Sequence, residues 1–177
     1  MRVKRRSGLP KIHERKFVSV DPEKCVGCQV CEYACSFTKE KAFNPLKSRI
    51  RVVRVNQIAN MSVTCRLCEE PACVAACPRD ALKQDEETGA ITINKDKCNG
   101  CGWCVEACDY GAIMLHPESK VVYVCDLCKE RPDGPQCVRW CPEEALTLTT
   151  SDVLAQKARI SAIKKLFQES KAKKAVA

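Results

Sequence analysis

Sixteen cysteines in 177 residues constrain this chain more than any other feature. At about 9% of the composition they stand well above ordinary usage, where cross-links or metals shape a fold. They fall into four groups: Cys25, Cys28, Cys31, Cys35; Cys65, Cys68, Cys73, Cys77; Cys98, Cys101, Cys104, Cys108; and Cys125, Cys128, Cys137, Cys141. The first and third groups read C-x2-C-x2-C-x3-C. The second is C-x2-C-x4-C-x3-C and the fourth C-x2-C-x8-C-x3-C. No cysteine is left over.

Three chemistries compete for such a pattern. Disulfides suit small secreted proteins, but repeated x2 spacings are metal spacings, and no secretory leader is read at the N-terminus. Arg5-Arg6 is followed by Pro10, Lys11, His13, Glu14 and Arg15 where a leader needs an apolar run. Zinc takes two C-x2-C knuckles, yet leaves unexplained three cysteines on one tight loop with a fourth set apart. An iron–sulfur cubane explains both. Three thiolates on a loop hold three iron corners, and a thiolate from elsewhere holds the last. The bacterial ferredoxin run C-x2-C-x2-C-x3-C-P is built so, its fourth cysteine ligating the other cluster of a pair. Sixteen ligands at four per cluster predict four [4Fe–4S] clusters.

The chain repeats itself. Val18-Ser19-Val20-Asp21 aligns with Ile91-Thr92-Ile93-Asn94, and Lys24-Cys25-x-Gly27-Cys28 with Lys97-Cys98-x-Gly100-Cys101. Cys65-x-Leu67-Cys68 matches Cys125-x-Leu127-Cys128, and Cys73-Val74 through Ala81-Leu82 matches Cys137-Val138 through Ala145-Leu146. The order is A-B-A′-B′, a duplicated two-cluster unit.

Local structure follows from the same residues. Val18/Val20 and Ile91/Ile93 alternate with polar residues and predict short strands, each followed by a turn and a cysteine loop. A hairpin turn is expected at Glu87-Thr88-Gly89. Short helices or turns should follow each fourth cysteine, with Ala81-Leu82, Ala112-Ile113 and Ala145-Leu146 packing inward. Val121, Val122 and Val124 predict a strand entering the last group. Arg49 to Val55 predicts an added strand whose arginines face solvent or a partner. Gly27 and Gly100 should let backbone approach the inorganic sulfides. Tyr33, Trp103, Tyr110, Tyr123 and Trp140 sit beside ligands and are expected to pack and exclude water. His13 and His116 have no metal-like neighbours and read as non-ligands. Asp152 to about Ser170 predicts a helix capped by Ser151 or Asp152, with Val153, Ile160, Ile163 and Phe167 near helical spacing. That helix packs on its own body or docks another subunit.

Charge divides by region. Residues 1–24 carry eight Lys/Arg against three Asp/Glu, residues 151–177 seven against two, and the middle is −2 of the overall +8. Sixteen thiolates and four oxidised cores would add about −8, leaving the loaded protein near neutral with two basic ends. Those ends favour reduction of the clusters. Neither interleaves aromatics as a base-stacking surface would, so no nucleic-acid partner is expected. No apolar run reaches the length of a membrane span. The expected organisation is a basic extension at 1–17, a four-cluster body at 18–150 and a basic helix or tail at 151–177. A cytoplasmic location is expected.

By spacing alone, an A group can share ligands with either B group. Val18 to Leu148 resembles the four-cluster electron-transfer subunits of molybdenum and tungsten oxidoreductases, the dimethyl-sulfoxide-reductase iron–sulfur subunit group. The resemblance rests on Val121-Val122-Tyr123-Val124-Cys125-Asp126-Leu127-Cys128, on Cys137-Val138-Arg139-Trp140-Cys141-Pro142, and on Cys65-Arg66-Leu67-Cys68-Glu69-Glu70-Pro71-Ala72-Cys73. It implies an α+β fold of two pseudo-twofold-related, bacterial ferredoxin-like lobes with a C-terminal helix, one lobe from 18–48 plus 121–150 and the other from 60–120. It also implies nested pairing. Cys25, Cys28, Cys31 and Cys141 would hold one cluster; Cys125, Cys128, Cys137 and Cys35 the next; Cys65, Cys68, Cys73 and Cys108 a third; Cys98, Cys101, Cys104 and Cys77 the last. Ser36 and Asp109 stand where the ferredoxin run has proline. The chain's compactness resembles small subunits paired with tungsten enzymes of the aldehyde oxidoreductase type, including those reducing aromatic acyl-CoA substrates.

The implied function is non-catalytic electron transfer. One end would meet a large Mo/W-pterin catalytic subunit, and the other a flavin/NAD or other redox subunit or a soluble ferredoxin. The alternatives are a free-standing polyferredoxin and a subunit of a formate-, hydrogenase- or carbon-monoxide-linked complex. No nucleophile–base pair or phosphate loop suggests turnover by this chain alone.

Overall fold

A computed structural model of the chain describes residues 15–56 and 59–176. The N-terminal basic segment up to Glu14, with His13, lies outside the described residues. Eight short strands form four two-stranded antiparallel sheets, with short helices between them. Strand β1 (Phe17–Val20) pairs with β8 (Leu146–Thr149), joining the two ends of the cysteine-bearing body. Strands β2 (Arg51–Val55) and β3 (Ala59–Val63) form a hairpin, as do β4 (Leu82–Gln84) and β5 (Ile91–Ile93). Strand β6 (Met114–Leu115) pairs with β7 (Val122–Tyr123). The helices are α1 (Val30–Glu40), α2 (Ala72–Ala75), α3 (Trp103–Glu106), α4 (Gln136–Arg139) and α5 (Ser151–Val176). This mixture of helices and small antiparallel sheets fits an α+β, ferredoxin-like fold.

Two cores form, and cysteines belong to both. The smaller joins Val18, Ile50 and Leu146 to Cys31, Cys35 and Cys137. The larger joins Leu82, Ile91, Ile113, Val122 and Val124 to Cys65, Cys73, Cys104 and Cys125. The alanine–aliphatic pairs Ala81-Leu82, Ala112-Ile113 and Ala145-Leu146 are all buried. They begin or adjoin strands rather than helices. The four-residue helices lie instead before the fourth cysteine of their groups.

Three expectations change. The arginines of β2 divide. Arg51 is half-buried, donating to the Pro45 and Leu46 carbonyls and to the Met114 sulfur, whereas Arg54 is exposed and donates to the Gly27 carbonyl at 2.7 Å. Val53, Val55 and Met61 are exposed hydrophobic residues of that hairpin. Among the aromatics, only Tyr123 is buried, its hydroxyl donating to the Leu46 carbonyl; Tyr33, Trp103, Tyr110 and Trp140 are exposed. Helix α5 runs longer than expected and starts behind Thr150, whose hydroxyl accepts from the Val153 N–H. Residues 156–168 are exposed, yet α5 meets its own body: Leu154, Lys157, Ala158 and Ser161 line a cleft with Val20, Asp21 and Thr149, and Lys165 stands 3.8 Å from Glu23.

Candidate metal centres

The first cysteine of each A group is delivered by the same turn. Asp21 and Asn94 each accept, through a side-chain oxygen, the N–H two residues on at 3.0 Å. Their carbonyls accept the Cys25 and Cys98 N–H groups at 3.1 and 3.2 Å. These are Asx-turns, which a short polar side chain forms with its own following backbone. In the B groups, Leu67 and Leu127 both take a left-handed backbone (φ +52° and +57°), so these loops also match. Pro71 and Pro135 then open α2 and α4.

An x3 interval places third and fourth cysteines one helical turn apart. Cys73, Cys104 and Cys137 lie inside α2, α3 and α4, and Cys77, Cys108 and Cys141 just beyond them. Three residues on, Asp80, Gly111 and Glu144 have φ of +48°, +59° and +48° and turn the chain back. After two of these turns the next N–H donates to the cysteine sulfur, Ala81 to Cys77 at 3.3 Å and Ala112 to Cys108 at 3.4 Å. The first group differs. Helix α1 runs on past Cys35 to Glu40, and the Cys35 sulfur receives the Arg49 N–H at 3.3 Å from a distant segment.

Cysteines of different groups meet. Cys25, Cys28, Cys31 and Cys141 line one small cavity, with Gly27, Val52, Ser62 and Leu146. Cys77, Cys98, Cys101 and Cys104 line a second, with Leu82, Gly102 and Val122. Beside its burial, the thiols of Cys73, Cys68 and Cys108 disfavour the ionisation of Cys65. Cys125, Cys35, Cys128 and Cys31 do the same to Cys137. Cys28 and Cys101 reach the surface, whereas Cys35, Cys125, Cys128 and Cys137 are all buried.

Burial dominates the acid–base behaviour of these thiols. It pushes Cys31, Cys65 and Cys104 up to about 11 and Cys125 to about 12, with neighbouring thiols adding to the rise. Cys35, Cys73 and Cys137 are also raised by burial. At Cys77 desolvation is outweighed by the N–H groups of Ala81, Arg79 and Leu82, which lower it. Loading with metal therefore displaces protons from most of the cradle.

Other residues touch the sulfurs that the sequence did not single out. The Ser62 hydroxyl lies 4.0 Å from the Cys25 sulfur and 3.7 Å from that of Cys31. Glu32, buried in α1 beside Cys31, accepts the Val52 N–H at 2.8 Å. Asp126 accepts from Lys39 at 2.7 Å and Arg49 at 2.9 Å, tying α1 and residue 49 to the fourth cysteine loop. A single serine or glutamate carries no periodic signal; only its position on β3 or α1 against a ligand marks it.

Gly27 and Gly100 both have φ +71°, and Gly27 lines the cavity of Cys25, Cys28, Cys31 and Cys141. A Cβ at Gly27 would meet the Asn60 side chain at 2.6 Å, and one at Gly100 the Lys120 carbonyl oxygen at 2.4 Å. The absent side chain makes room for neighbouring polypeptide. The His116 Nδ1 accepts the Glu118 and Ser119 N–H groups. Asp109 is exposed.

The donor set fits an iron–sulfur core better than a single ion. Among the described residues no three His, Cys, Asp or Glu side chains converge closely enough to hold one metal ion. Thiolate sets spread around a shared space suit a polynuclear core, with backbone N–H groups already aimed at the sulfurs. Arg49, whose N–H reaches Cys35, also keeps its buried Nε without an acceptor among the described residues. An anionic inorganic core beside Cys35 would satisfy it.

Comparison with known proteins agrees. Residues 56–151 match a family model described as a 4Fe-4S dicluster domain. The polyferredoxin-like subunit of an aliphatic sulfonate oxidoreductase from Pyrococcus furiosus is 40% identical over 146 residues, covering 80% of this chain and 82% of that protein. The electron transport protein HydN of Escherichia coli K12 is 32% identical over 163 residues, 80% of this chain and 91% of HydN. The thiosulfate reductase electron transfer subunit PhsB of Salmonella typhi is 31% identical, covering 71% of each chain. Among the described residues no helix is long and apolar enough to cross a membrane.

Proposed function

The chain belongs to the 4Fe-4S dicluster domain family, and from that premise we propose that it carries single electrons between a catalytic oxidoreductase subunit and a further redox protein. Its relatives are electron-transfer iron–sulfur proteins, among them subunits of larger oxidoreductases. The finer reading is a conduit of four [4Fe–4S] clusters whose catalytic partner holds a molybdenum or tungsten pterin. Two cavities, each lined by three cysteines of one group and one of another, with Cys108 beside Cys65 and Cys35 beside Cys137, carry this reading.

The ligand sets follow the nested scheme. Cys25, Cys28, Cys31 and Cys141 would hold the first cluster, and Cys35, Cys125, Cys128 and Cys137 the second. Cys65, Cys68, Cys73 and Cys108 would hold the third, and Cys77, Cys98, Cys101 and Cys104 the fourth. When bound, such clusters supply reversible one-electron oxidation and reduction. The chain's own residues supply the rest. The Ala81, Ala112 and Arg49 N–H groups stabilise negative charge on Cys77, Cys108 and Cys35. Val18, Ile50, Leu146 and the larger aliphatic core keep water away. Cys125 lies near both Cys35 and Cys65, so the buried second set neighbours the half-buried third, while Cys28 and Cys101 open the first and fourth sets to partners. A reducing cytoplasm would keep sixteen thiols available for iron.

Anaerobic iron and acid-labile sulfide analysis tests the count, with about sixteen of each expected per chain. About eight of each would reduce the conduit to one pair of clusters. Metal analysis of the complex isolated from native extract tests the partner: molybdenum or tungsten is expected, and a complex without either would overturn that part.

A further inference from the structure

Helix α1 has two working faces. Cys31 and Cys35 point into the body, while Val30, Ala34, Phe37 and Lys41 recur at helical spacing on the outside. This outer face, with Phe43 beyond the helix and Arg131 and Trp140 from the fourth cysteine group, lines an open groove of about 390 Å³. Phe37 and Phe43 stack with ring centroids 4.6 Å apart and planes at 13°. Phe43 is 71% exposed and Trp140 62%. Contiguous exposed aromatic surface of this kind marks a place where another molecule sits, because leaving it in water is unfavourable.

The charge at the groove selects the occupant. Lys41, whose Nζ stands 5.8 Å from the Phe37 ring centre, and Arg131 are its two charged residues, and no carboxylate lines it. A second copy offering α5 is disfavoured: the exposed Ile160, Ile163 and Leu166 there lie among Lys157, Arg159, Lys164 and Lys165, which would face Lys41 and Arg131. The groove also lies against proposed ligands, since Trp140 precedes Cys141 and the lining residue Gln136 precedes Cys137. A protein seated there approaches the first and second cysteine sets from outside.

We propose that this groove docks the redox partner through a segment bearing an apolar anchor flanked by carboxylates. The inference rests on the reading that electrons pass to a second polypeptide, and names where on this chain that polypeptide sits. The apolar anchor enters between Phe37, Phe43 and Trp140, while the carboxylates pair with Lys41 and Arg131 and set orientation.

Photo-crosslinking in the native cell tests it, with p-benzoylphenylalanine replacing Phe43 in one strain and Ile163 in another. The expected adduct from position 43 is with a different protein, at a peptide carrying Asp or Glu within a few residues of the joined side chain. An adduct with this chain's own sequence, or with a segment lacking carboxylates, overturns the proposal. So does an adduct from position 163 alone, or none from position 43 while a complex is present; both leave the electron-transfer reading standing. Absence of any complex in native extract defeats reading and inference together. In the purified complex, Lys41→Glu with Arg131→Glu should weaken association at least about tenfold, with iron content unchanged. Should that variant lose iron, Phe43→Ser decides the matter, because Phe43 is exposed and its stacking on Phe37 lies at the surface. An unchanged affinity then overturns the groove.

Discussion

The half built from the second and third cysteine groups is economical; the half built from the first and fourth is elaborated. Cys77 and Cys108 receive an N–H from four residues downstream, through one left-handed residue at Asp80 or Gly111. Cys35 receives its N–H from Arg49, fourteen residues on, after α1, a 3-10 turn at Pro45–Lys47 and a buried Ser48–Ile50 corner. A local turn has been replaced by a folded segment delivering the same kind of donor. What is held constant is the hydrogen bond to sulfur, and the route to it is free to vary. The elaborated half also gains surface the economical half lacks: the groove on α1 and the outward valines of the β2–β3 hairpin.

The largest contrast is expected between two glycines at matching places. Gly100→Ala would force a Cβ onto the Lys120 carbonyl oxygen at positive φ and should cost about 3 kcal/mol or more. Gly27→Ala meets a movable Asn60 side chain and should cost about 1 kcal/mol. Anaerobic thermal loss of the visible absorbance would rank them; equal losses would mean that the two loops are equally closed.

Asp126→Ala comes next and strikes only the elaborated half. It leaves the largely buried Lys39 and Arg49 without their shared carboxylate, at a cost of about 3 kcal/mol. The loss should be concentrated there, read as hydrogen-exchange deprotection of α1 and residues 48–50 while β4 and β5 stay protected.

Smaller changes should appear at the turns after the fourth cysteines. Gly111→Ala, at φ +59° with open space around it, should cost about 1 kcal/mol. Glu144→Gly, relieving a left-handed non-glycine residue, should gain about 0.5 kcal/mol in denaturant unfolding. A gain from both would refute the shared turn geometry.

Ser62→Ala should hardly alter stability. It removes the hydroxyl beside Cys25 and Cys31, and one reduction potential should fall by roughly tens of millivolts in an EPR-monitored titration. Smallest of all, ending the chain after Gln156 should lower stability by no more than about 1 kcal/mol, because residues 156–168 are exposed and Lys165 reaches Glu23 only as a surface pair. Loss of their positive charge should still lower the potentials slightly.

How much of this was legible depended on whether the signal was local. Cysteine spacing, the strands at Val18/Val20 and Ile91/Ile93, the Gly89 turn and the inward alanine–aliphatic pairs are written over a few adjacent residues, and each appears where expected. Strand β3 was not foreseen, because Ala-Asn-Met-Ser-Val lacks a clear alternation and gains its identity from register with β2. Of the outward arginines expected on β2, Arg54 is exposed but Arg51 is half-buried for a similar reason: its acceptors lie on Pro45 and Leu46, which strand periodicity does not encode. Tyr33, Trp103, Tyr110 and Trp140 neighbour cysteines along the chain, yet lie on the surface. Adjacency in sequence to an inward ligand points the next residue outward as readily as inward.

The pairing of Phe17–Val20 with Leu146–Thr149 has a consequence for how the molecule is made. Val122 and Val124 complete the larger core around Cys65, Cys73 and Cys104, and Leu146 completes the smaller one around Cys31 and Cys35, so neither core closes until most of the body has left the ribosome. The cavity lined by Cys25 and Cys141 forms only after both ends of the body have emerged. Under the ligand sets proposed above, newborn chains carry their earliest cysteines longest without iron, and oxygen exposure during synthesis should damage that end first.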